Sequence, residues 1–357
     1  MQPLFPEESG PEFAPATVTR AFGEENRARL LKKYFAEVGP VTAATAWQHV
    51  YRLLLWIDRT TALAHCYESD KCQPGRPWYA RSLAFHAWVS AALSVMPATL
   101  GENIDWLFRE AVKDLAGQAF AGRSAAYLQQ RKPYEGQHFP EPGEDPELVA
   151  IIKEMLGSHF QTEPTEAEYR TLASRIYAHV TQENKRKNLV GEGFEDVLGA
   201  VVRQLHPQGL DVRNRPMLHS VPGFYPPKGN DKIRKVDLVL IKEDLRTLVS
   251  AKWSVRADRE EQFHSDFETY NALESKGVSF NYSLITNEFD AARLKAACER
   301  RRQNALLFTH VVHINPAGVL AAYGSASGES IDAVRAHVAS GRLKSLQSWL
   351  ETVGAAS

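Results

Sequence analysis

Two short apolar runs near the middle of the chain limit its fold most tightly: Val236-Asp237-Leu238-Val239-Leu240 and Leu248-Val249-Ser250-Ala251-Lys252-Trp253. Between them lies a charged segment, Lys242-Glu243-Asp244-Leu245-Arg246, that suits a short turn. Apolar runs of this kind, bounded by polar turn residues, predict two strands that fold back on each other. Strand side chains alternate faces, so Asp237 shares a face with Val239 and Ile241, and Lys252 with Leu248 and Ser250. Folding back around Asp244-Leu245 sets Asp237 and Lys252 roughly opposite one another on that face. Charges inside such runs are costly unless paired or bound to something. Two readings stay open on these residues alone. One is a cross-strand ion pair. The other is a metal-dependent phosphodiesterase site, where the carboxylate holds a hard cation and the lysine orients water or stabilises the transition state.

After Lys252 the chain reads Trp253-Ser254-Val255-Arg256-Ala257-Asp258-Arg259-Glu260-Glu261-Gln262 and opens a helical pattern. Ser254 or Asp258 suits its N-cap, and acids crowd its first turn. Phe263, Phe267, Tyr270 and Leu273 recur at helical spacing until Gly277 stops the pattern. Arg256, Asp258 and Arg259 at the helix start are either an exposed ion cluster or readers of base edges. Arginine can pair bidentately with guanine, and a carboxylate accepts from the cytosine amino group.

Together these residues resemble a known family. Asp237…Ser250-Ala251-Lys252 looks like the PD-(D/E)XK nuclease signature, with valine in place of the proline and serine in place of the acid before the lysine. Ser250-Ala251-Lys252-Trp253-Ser254-Val255-Arg256-Ala257-Asp258-Arg259 is similar to the segment of type II restriction endonucleases that cut CCGG-containing sites. The resemblance implies that Lys252 is the catalytic lysine and that Arg256, Asp258 and Arg259 read CCGG. It also implies that a metal-binding acid has moved from the strand to the next helix. Asp266 matches that acid, seven residues after Arg259 and so on nearly the same helix face, with Glu260, Glu261 and Glu268 as rivals.

The family also places a glutamate on an upstream helix, and the run from Gly191 to Leu205 supplies a candidate. Phe194, Val197, Leu198, Val201, Val202 and Leu205 define its apolar face. Glu195 borders that face and resembles the family's helical glutamate. Asp196 is expected to point outward, in line with Ala200 and Arg203, and Glu192 to be a first-turn acid favourable to the helix dipole. The resemblance spans roughly residues 190–315.

At 357 residues the chain can bury a large core, and two domains are expected. A net charge of −1 does not announce a nucleic-acid binder, but its distribution is uneven. From Glu183 to Arg259 there are fifteen Lys and Arg against ten Asp and Glu, whereas from Gly101 to Val180 there are eight against thirteen. The positive stretch coincides with the candidate site. Three cysteines (Cys66, Cys72, Cys298) and the lack of an apolar export segment suggest a reducing cytoplasm. No run approaches membrane-spanning length.

The first half reads as helical. Trp47, Val50, Leu53, Leu54 and Ile57 form one stripe, and Leu83, Phe85, Trp88, Val89, Ala92 and Leu93 another. A third helical pattern starts at Glu102, and a further helical region covers about 146–182. Residues 1–15 read as a disordered Pro/Glu-rich tail. The second half adds strand signals at Asn281–Asn287 and Ala305–Ile314, joined by a helix over Asp290–Arg302. Arg300-Arg301-Arg302 is then a solvated helix end or a phosphate contact. Arg213–Ser220 can reach DNA or merely make a turn. His65, Cys66 and Cys72 lack a fourth zinc ligand at suitable spacing. His310 and His313, on opposite faces by alternation, read as core or edge histidines. No Walker loop, dinucleotide fingerprint or G-x-S-x-G elbow occurs.

The expected protein is α/β, with a mainly helical domain over 1–180 and, over 181–357, a PD-(D/E)XK restriction-endonuclease-like mixed sheet flanked by helices. The resemblance implies Mg²⁺-dependent, in-line hydrolysis of double-stranded DNA leaving a 5′-phosphate. In that scheme Asp237, Asp266 and the main-chain carbonyl of Ala251 hold the metal, Glu195 supports it, and Lys252 positions or activates the nucleophile. Cutting both strands of a palindrome is met most simply by a homodimer, and a cognate DNA methyltransferase is the expected companion. The alternatives are a repair or defence nuclease whose arginines touch backbone, and a non-cleaving DNA-binding or interaction protein in which Asp237 and Lys252 are merely paired.

Overall fold

A computed structural model of the chain describes residues 21–57, 77–115, 150, 152–154, 164–206, 208–226, 234–255, 260–277 and 279–355. It is a mixed α/β protein. The helical region contributes α1 (Glu24–Glu37), α2 (Ala46–Leu54), α3 (Pro77–Ala92), a single turn α4 (Leu100–Asn103) and α5 (106–115). In α2, Val50, Leu53 and Leu54 are buried as the stripe predicts. In α3 the buried face is Phe85 and Val89, continuing to Leu93, whereas Leu83 points outward with 48% exposure. Leu83 lies two residues from Phe85, and positions two apart do not share a helix face. The helix expected from Glu102 is interrupted at Ile104-Asp105, where Asp105 takes φ +58°.

The long helix α6 (Glu166–Leu205) replaces the two separate helices expected over this stretch. Thr165 and Glu168 form a reciprocal capping box at its start. Gly191, where the second helix was expected to begin, and Gly193 both lie inside α6. A Cβ on Gly193 would stand 3.3 Å from Leu54 and 3.4 Å from Leu107, so the missing side chain lets other helices come close. The helix ends at Leu205, with His206 as its C-cap. His206 precedes Pro207, and a residue before proline avoids helical backbone.

The strands are β1 (Asp211–Asn214), β2 (Leu238–Lys242), β3 (Leu245–Lys252), β4 (Asn281–Thr286), β5 (Arg301–Arg302), β6 (Ala305–Leu306), β7 (His310–His313) and β8 (Leu343–Ser345). Six of them form one sheet in the order β1-β2-β3-β4-β7-β8. The first two pairings are antiparallel and the rest parallel. Helices α7 (Glu260–Leu273), α8 (Ala291–Glu299), α9 (Pro316–Tyr323), α10 (Glu329–Ala339) and α11 (Leu346–Ala355) complete the chain.

The expected hairpin is present, with a tighter turn. Only Glu243 and Asp244 lie between the strands, Glu243 in the left-handed region at φ +54°. Leu238 pairs with Val249, so Asp237, just before β2, stands opposite Ser250 and not Lys252. The register differs by two residues from folding about Asp244-Leu245. A shift of two preserves the face, whereas a shift of one would reverse it. Asp237 and Lys252 therefore still share a face, as diagonal neighbours.

Helices cover both faces of β3. On one side Phe194 of α6 meets Trp253 edge to face at 5.3 Å. On the other, Phe267 and Tyr270 of α7 pack on Tyr282 of β4 at 5.8 and 5.6 Å. One continuous core runs from Leu30 to Leu350. The 180/181 division falls inside α6, and the hydroxyl of Tyr51 in α2 donates to Asn287 Oδ1, just past β4, at 2.9 Å.

The single strand expected over Ala305–Ile314 is instead β6, a break and β7. The Arg300-Arg301-Arg302 run is a helix end only at Arg300, the C-cap of α8. Arg301 and Arg302 form a two-residue hairpin with β6, and the Arg302 guanidinium lies 4.9 Å from the ring centre of Phe267. His313 is fully buried. Its Nε2 bonds the Glu288 carbonyl at 2.9 Å and its Nδ1 accepts from Asn315 N–H at 3.0 Å. Burial lowers its pKa to about 4, so it is a neutral core histidine. Among the described residues no single helix is long and apolar enough to cross a membrane.

Candidate active site

Asp237 precedes β2 but is held in the β1–β2 pairing, because its carbonyl accepts the N–H of Arg215 at 3.0 Å. Its side chain meets three donors from β3. Ala251 N–H lies 2.9 Å away, Lys252 Nζ 2.6 Å and Ser250 Oγ 3.4 Å, and all three address Oδ2. None of them uses Oδ1. The N–H and C=O of one strand residue face the same neighbour, so the Ala251 carbonyl turns to the Asp237 side.

Asp266 comes to the same place from α7. A cavity of about 330 Å³ is lined by Asp237, Ser250, Lys252, Asp266, Gln262, Tyr270, Arg234, Lys235 and Met217 among others. Of the acids considered for the displaced position, Glu261 and Glu268 are exposed, and the Glu260 side chain lies outside the described residues. Asp266 is mostly buried, with a side-chain exposure of 13%, and forms a 3.5 Å ion pair with Arg234 Nη1. Burial holds its carboxyl above the usual range. The Asp237 charge adds to this, while Arg234 and Lys252 oppose it.

Glu195 does not line the cavity, but its charge is felt there. Burial, then the nearby Asp237 carboxylate, lift its pKa to about 7, against the opposing pull of Arg215 and Lys252. Arg215 belongs to the Arg213–Ser220 segment that the sequence offered as a DNA contact or a turn, and its part beside Glu195 was not foreseen. It stands in the left-handed region at φ +49°. Its guanidinium reaches Glu195 at 3.2 Å, Asp196 at 2.7 Å and Glu24 of α1 at 2.8 Å. Arg213 is likewise engaged, with Asp211 at 2.6 Å and the Ser220 carbonyl at 2.8 Å.

Two expectations for α6 are corrected here. Asp196 does not point outward, for it also pairs with Arg27 of α1 at 2.7 Å. Glu192 is not a first-turn acid, because the helix begins at Glu166; it pairs with Arg27 at 2.8 Å. Arg27 lies 165 or more positions upstream, so no local pattern reveals either contact.

Past Lys252 the chain is held by Glu288, a fully buried carboxylate. It accepts from the N–H groups of Val255, Phe289 and Asp290 at 2.7, 2.9 and 2.8 Å. Arg256, Asp258 and Arg259 lie outside the described residues, as do His65, Cys66 and Cys72.

The donor set can be tested against Mg²⁺. Among the described residues no group of three or more His, Cys, Asp or Glu side chains is placed to hold a metal ion. Two carboxylates, Asp237 and Asp266, share one cavity and repel each other across it. Both are oxygen donors, whereas Ala251, expected to add its carbonyl, is not itself among the lining residues. Mg²⁺ takes oxygen donors, keeps several waters and commonly uses only one or two carboxylates together with substrate phosphates. The residues fit that mode and not an all-protein cage. No protein-family model matches the chain, and a search of curated proteins returns no significant match.

Proposed function

We propose that this chain is a type II restriction endonuclease of the PD-(D/E)XK kind, cutting double-stranded DNA at a CCGG-containing palindrome with Mg²⁺. One observation carries the reading: Asp237, Lys252 and Asp266, from the start of β2, the end of β3 and the middle of α7, line a single cavity. Those three are among the residues that the resemblance assigns to chemistry; Glu195 and Ala251, assigned with them, do not line the cavity. The sheet order and the helices on both faces of β3 agree with the reading at the level of fold class.

Asp237 and Asp266 would hold the cation, with the Ala251 carbonyl completing the protein's share. Bound there, Mg²⁺ supplies Lewis-acid stabilisation of the phosphoryl oxygens and lowers the pKa of water. Ser250 and the Ala251 N–H fix the Asp237 carboxylate through Oδ2. Lys252, on the same oxygen, presents an ammonium to the cavity, where it orients the attacking water and offsets charge developing on the phosphate. Glu195 backs the site electrostatically, and Arg215 keeps it in place. Arg256, Asp258 and Arg259 follow the lysine closely enough in sequence for base reading to sit beside the scissile phosphate. Palindromic cutting implies a homodimer, and a cognate methyltransferase would protect host DNA. Buried, unpaired Cys298 agrees with a reducing cytoplasm.

The 2.6 Å contact between Lys252 and Asp237 favours a second reading, in which the two are simply an ion pair in a non-cleaving protein. Incubation with plasmid DNA and Mg²⁺ separates the readings. Discrete fragments with ends at CCGG support the restriction enzyme. A smear indicates an unspecific nuclease of repair or defence, and intact plasmid indicates the paired, non-cleaving protein.

A further inference from the structure

Arg234 faces the same cavity as the acids and has no part in the scheme above. Its backbone is anchored, since its carbonyl accepts the Leu218 N–H at 2.9 Å and the next residue, Lys235, forms a bridge with Met217. Its side chain is looser, 40% exposed, against 13% for the Asp266 it pairs with. At 3.5 Å the ion pair is longer than a charge-assisted hydrogen bond, which runs to about 2.7–2.9 Å. An anchored backbone therefore carries a solvent-accessible cation over a mostly buried acid, at the edge of a cavity that also holds Asp237 and Lys252.

A divalent cation on Asp266 would compete with that guanidinium for the same carboxylate oxygens and repel it. The anion then within reach is the phosphodiester in the cavity. Guanidinium matches phosphate well, because its planar fork can donate to two oxygens at once. In-line attack also adds negative charge to the phosphoryl group, so such a cation stabilises the transition state more than the ground state.

We propose that Arg234 is an exchangeable counter-ion: it neutralises Asp266 in the metal-free protein and moves to a phosphate oxygen of the DNA once a divalent cation takes Asp266. The proposal rests on the nuclease reading of this cavity, and binding measurements test it without cleavage. Mn²⁺, which suits the same carboxylate sites, is titrated into the full chain by electron paramagnetic resonance, without DNA. Arg234→Ala removes the competitor and tightens Mn²⁺ binding about three- to tenfold, while Arg234→Lys, which keeps the charge, stays close to wild type. With Ca²⁺ and a CCGG duplex, Arg234→Ala binds more weakly and its salt slope falls by about 1, the loss of one phosphate contact. A side chain that only supported the fold would weaken both ligands and leave the slope unchanged. Unchanged or weaker Mn²⁺ binding by Arg234→Ala, or an unaltered salt slope, overturns the proposal. Wild-type protein that shows these binding effects but leaves DNA intact overturns the nuclease reading and leaves the counter-ion exchange standing.

Discussion

Strand β3 carries two cations on one face, six residues apart, and they meet opposite fates. At its start Arg246 is 2% exposed and pairs with Glu274 at 2.9 Å. It also donates to the Pro222 and Gly223 carbonyls at 3.4 and 3.3 Å and lies over the ring of Phe224 at 5.1 Å. At its end Lys252 is 18% exposed and pairs with Asp237 at 2.6 Å, beside a cavity with a second acid and a loosely held arginine. Each end has one cation in a close ion pair with one carboxylate. Closure differs: Arg246 is caged by backbone and ring, whereas the Lys252 end has room for water, a cation and a phosphate. An ion pair on a strand points to chemistry only when it borders space and further acids.

The largest effect is expected at the open end. Asp266→Ala should lower Mg²⁺-dependent cleavage by ~10³-fold, since Ser250 cannot replace a carboxylate as a metal ligand. Glu261→Ala, on an exposed position of the same helix, should change cleavage little. Single-turnover assays on one duplex compare them. If the order reverses, the open end has been assigned to the wrong acid.

The closed end should answer in stability. Arg246→Met leaves the Glu274 carboxylate without its buried partner and should lower unfolding free energy by about 3–5 kcal/mol in denaturant titrations. The folded fraction should still cut DNA at the wild-type rate. A loss of cleavage exceeding the loss of folded protein would erase the distinction between the two ends.

A pH test follows from Glu195. Its folded carboxyl titrates at about 7, above its ordinary 4.5, so the fold favours the protonated form. The stability this supplies is complete below pH 4.5 and is lost as pH rises through 7. Glu195→Gln should therefore make the metal-free protein more stable than wild type at pH 8, by at most about 3 kcal/mol, with little difference at pH 4.5. Thermal melts at the two pH values measure this. A difference independent of pH would place Glu195 in ordinary solvent.

The smallest effect is at the cage itself. Gly223 has φ +88°, and a Cβ there would come within 2.3 Å of Arg246 Nη1. Gly223→Ala should destabilise by about 1–3 kcal/mol and leave cleavage unaltered. A stability equal to wild type would show that the cage yields easily.

What the sequence revealed of this molecule follows the range of the interactions involved. Alternation and a short polar turn are local signals, and they marked both strands and the shared face of Asp237 and Lys252. The register came out two residues away because the turn uses only Glu243 and Asp244, yet the face survived because strand periodicity is two. Asp266 lines the cavity from α7, whereas Arg259, from which its helical phase was counted, lies outside the described residues. Longer-range partners were hidden. Asp196 is paired with Arg27, 169 positions away, and the close approach of Leu54 and Leu107 to Gly193 comes from other helices. Arg215 was visible only as part of a segment able to reach DNA or turn, and Arg234 only as positive charge, since their carboxylate partners belong to other elements.

The claim on which the rest depends is that Lys252 and Asp237 do chemistry and are not merely paired. It is tested most directly by Lys252→Met and Asp237→Asn in parallel assays of cleavage, DNA binding in Ca²⁺ and thermal unfolding. As catalytic groups they should lose ~10³-fold or more in single-turnover cleavage, each catalytic interaction being worth several kcal/mol. Binding of the CCGG duplex and the melting temperature should stay near wild type. Cleavage at the wild-type rate by either variant would contradict the assignment, and so would intact cleavage accompanied only by a ~0.2–1 kcal/mol loss of stability, the mark of a cross-strand pair.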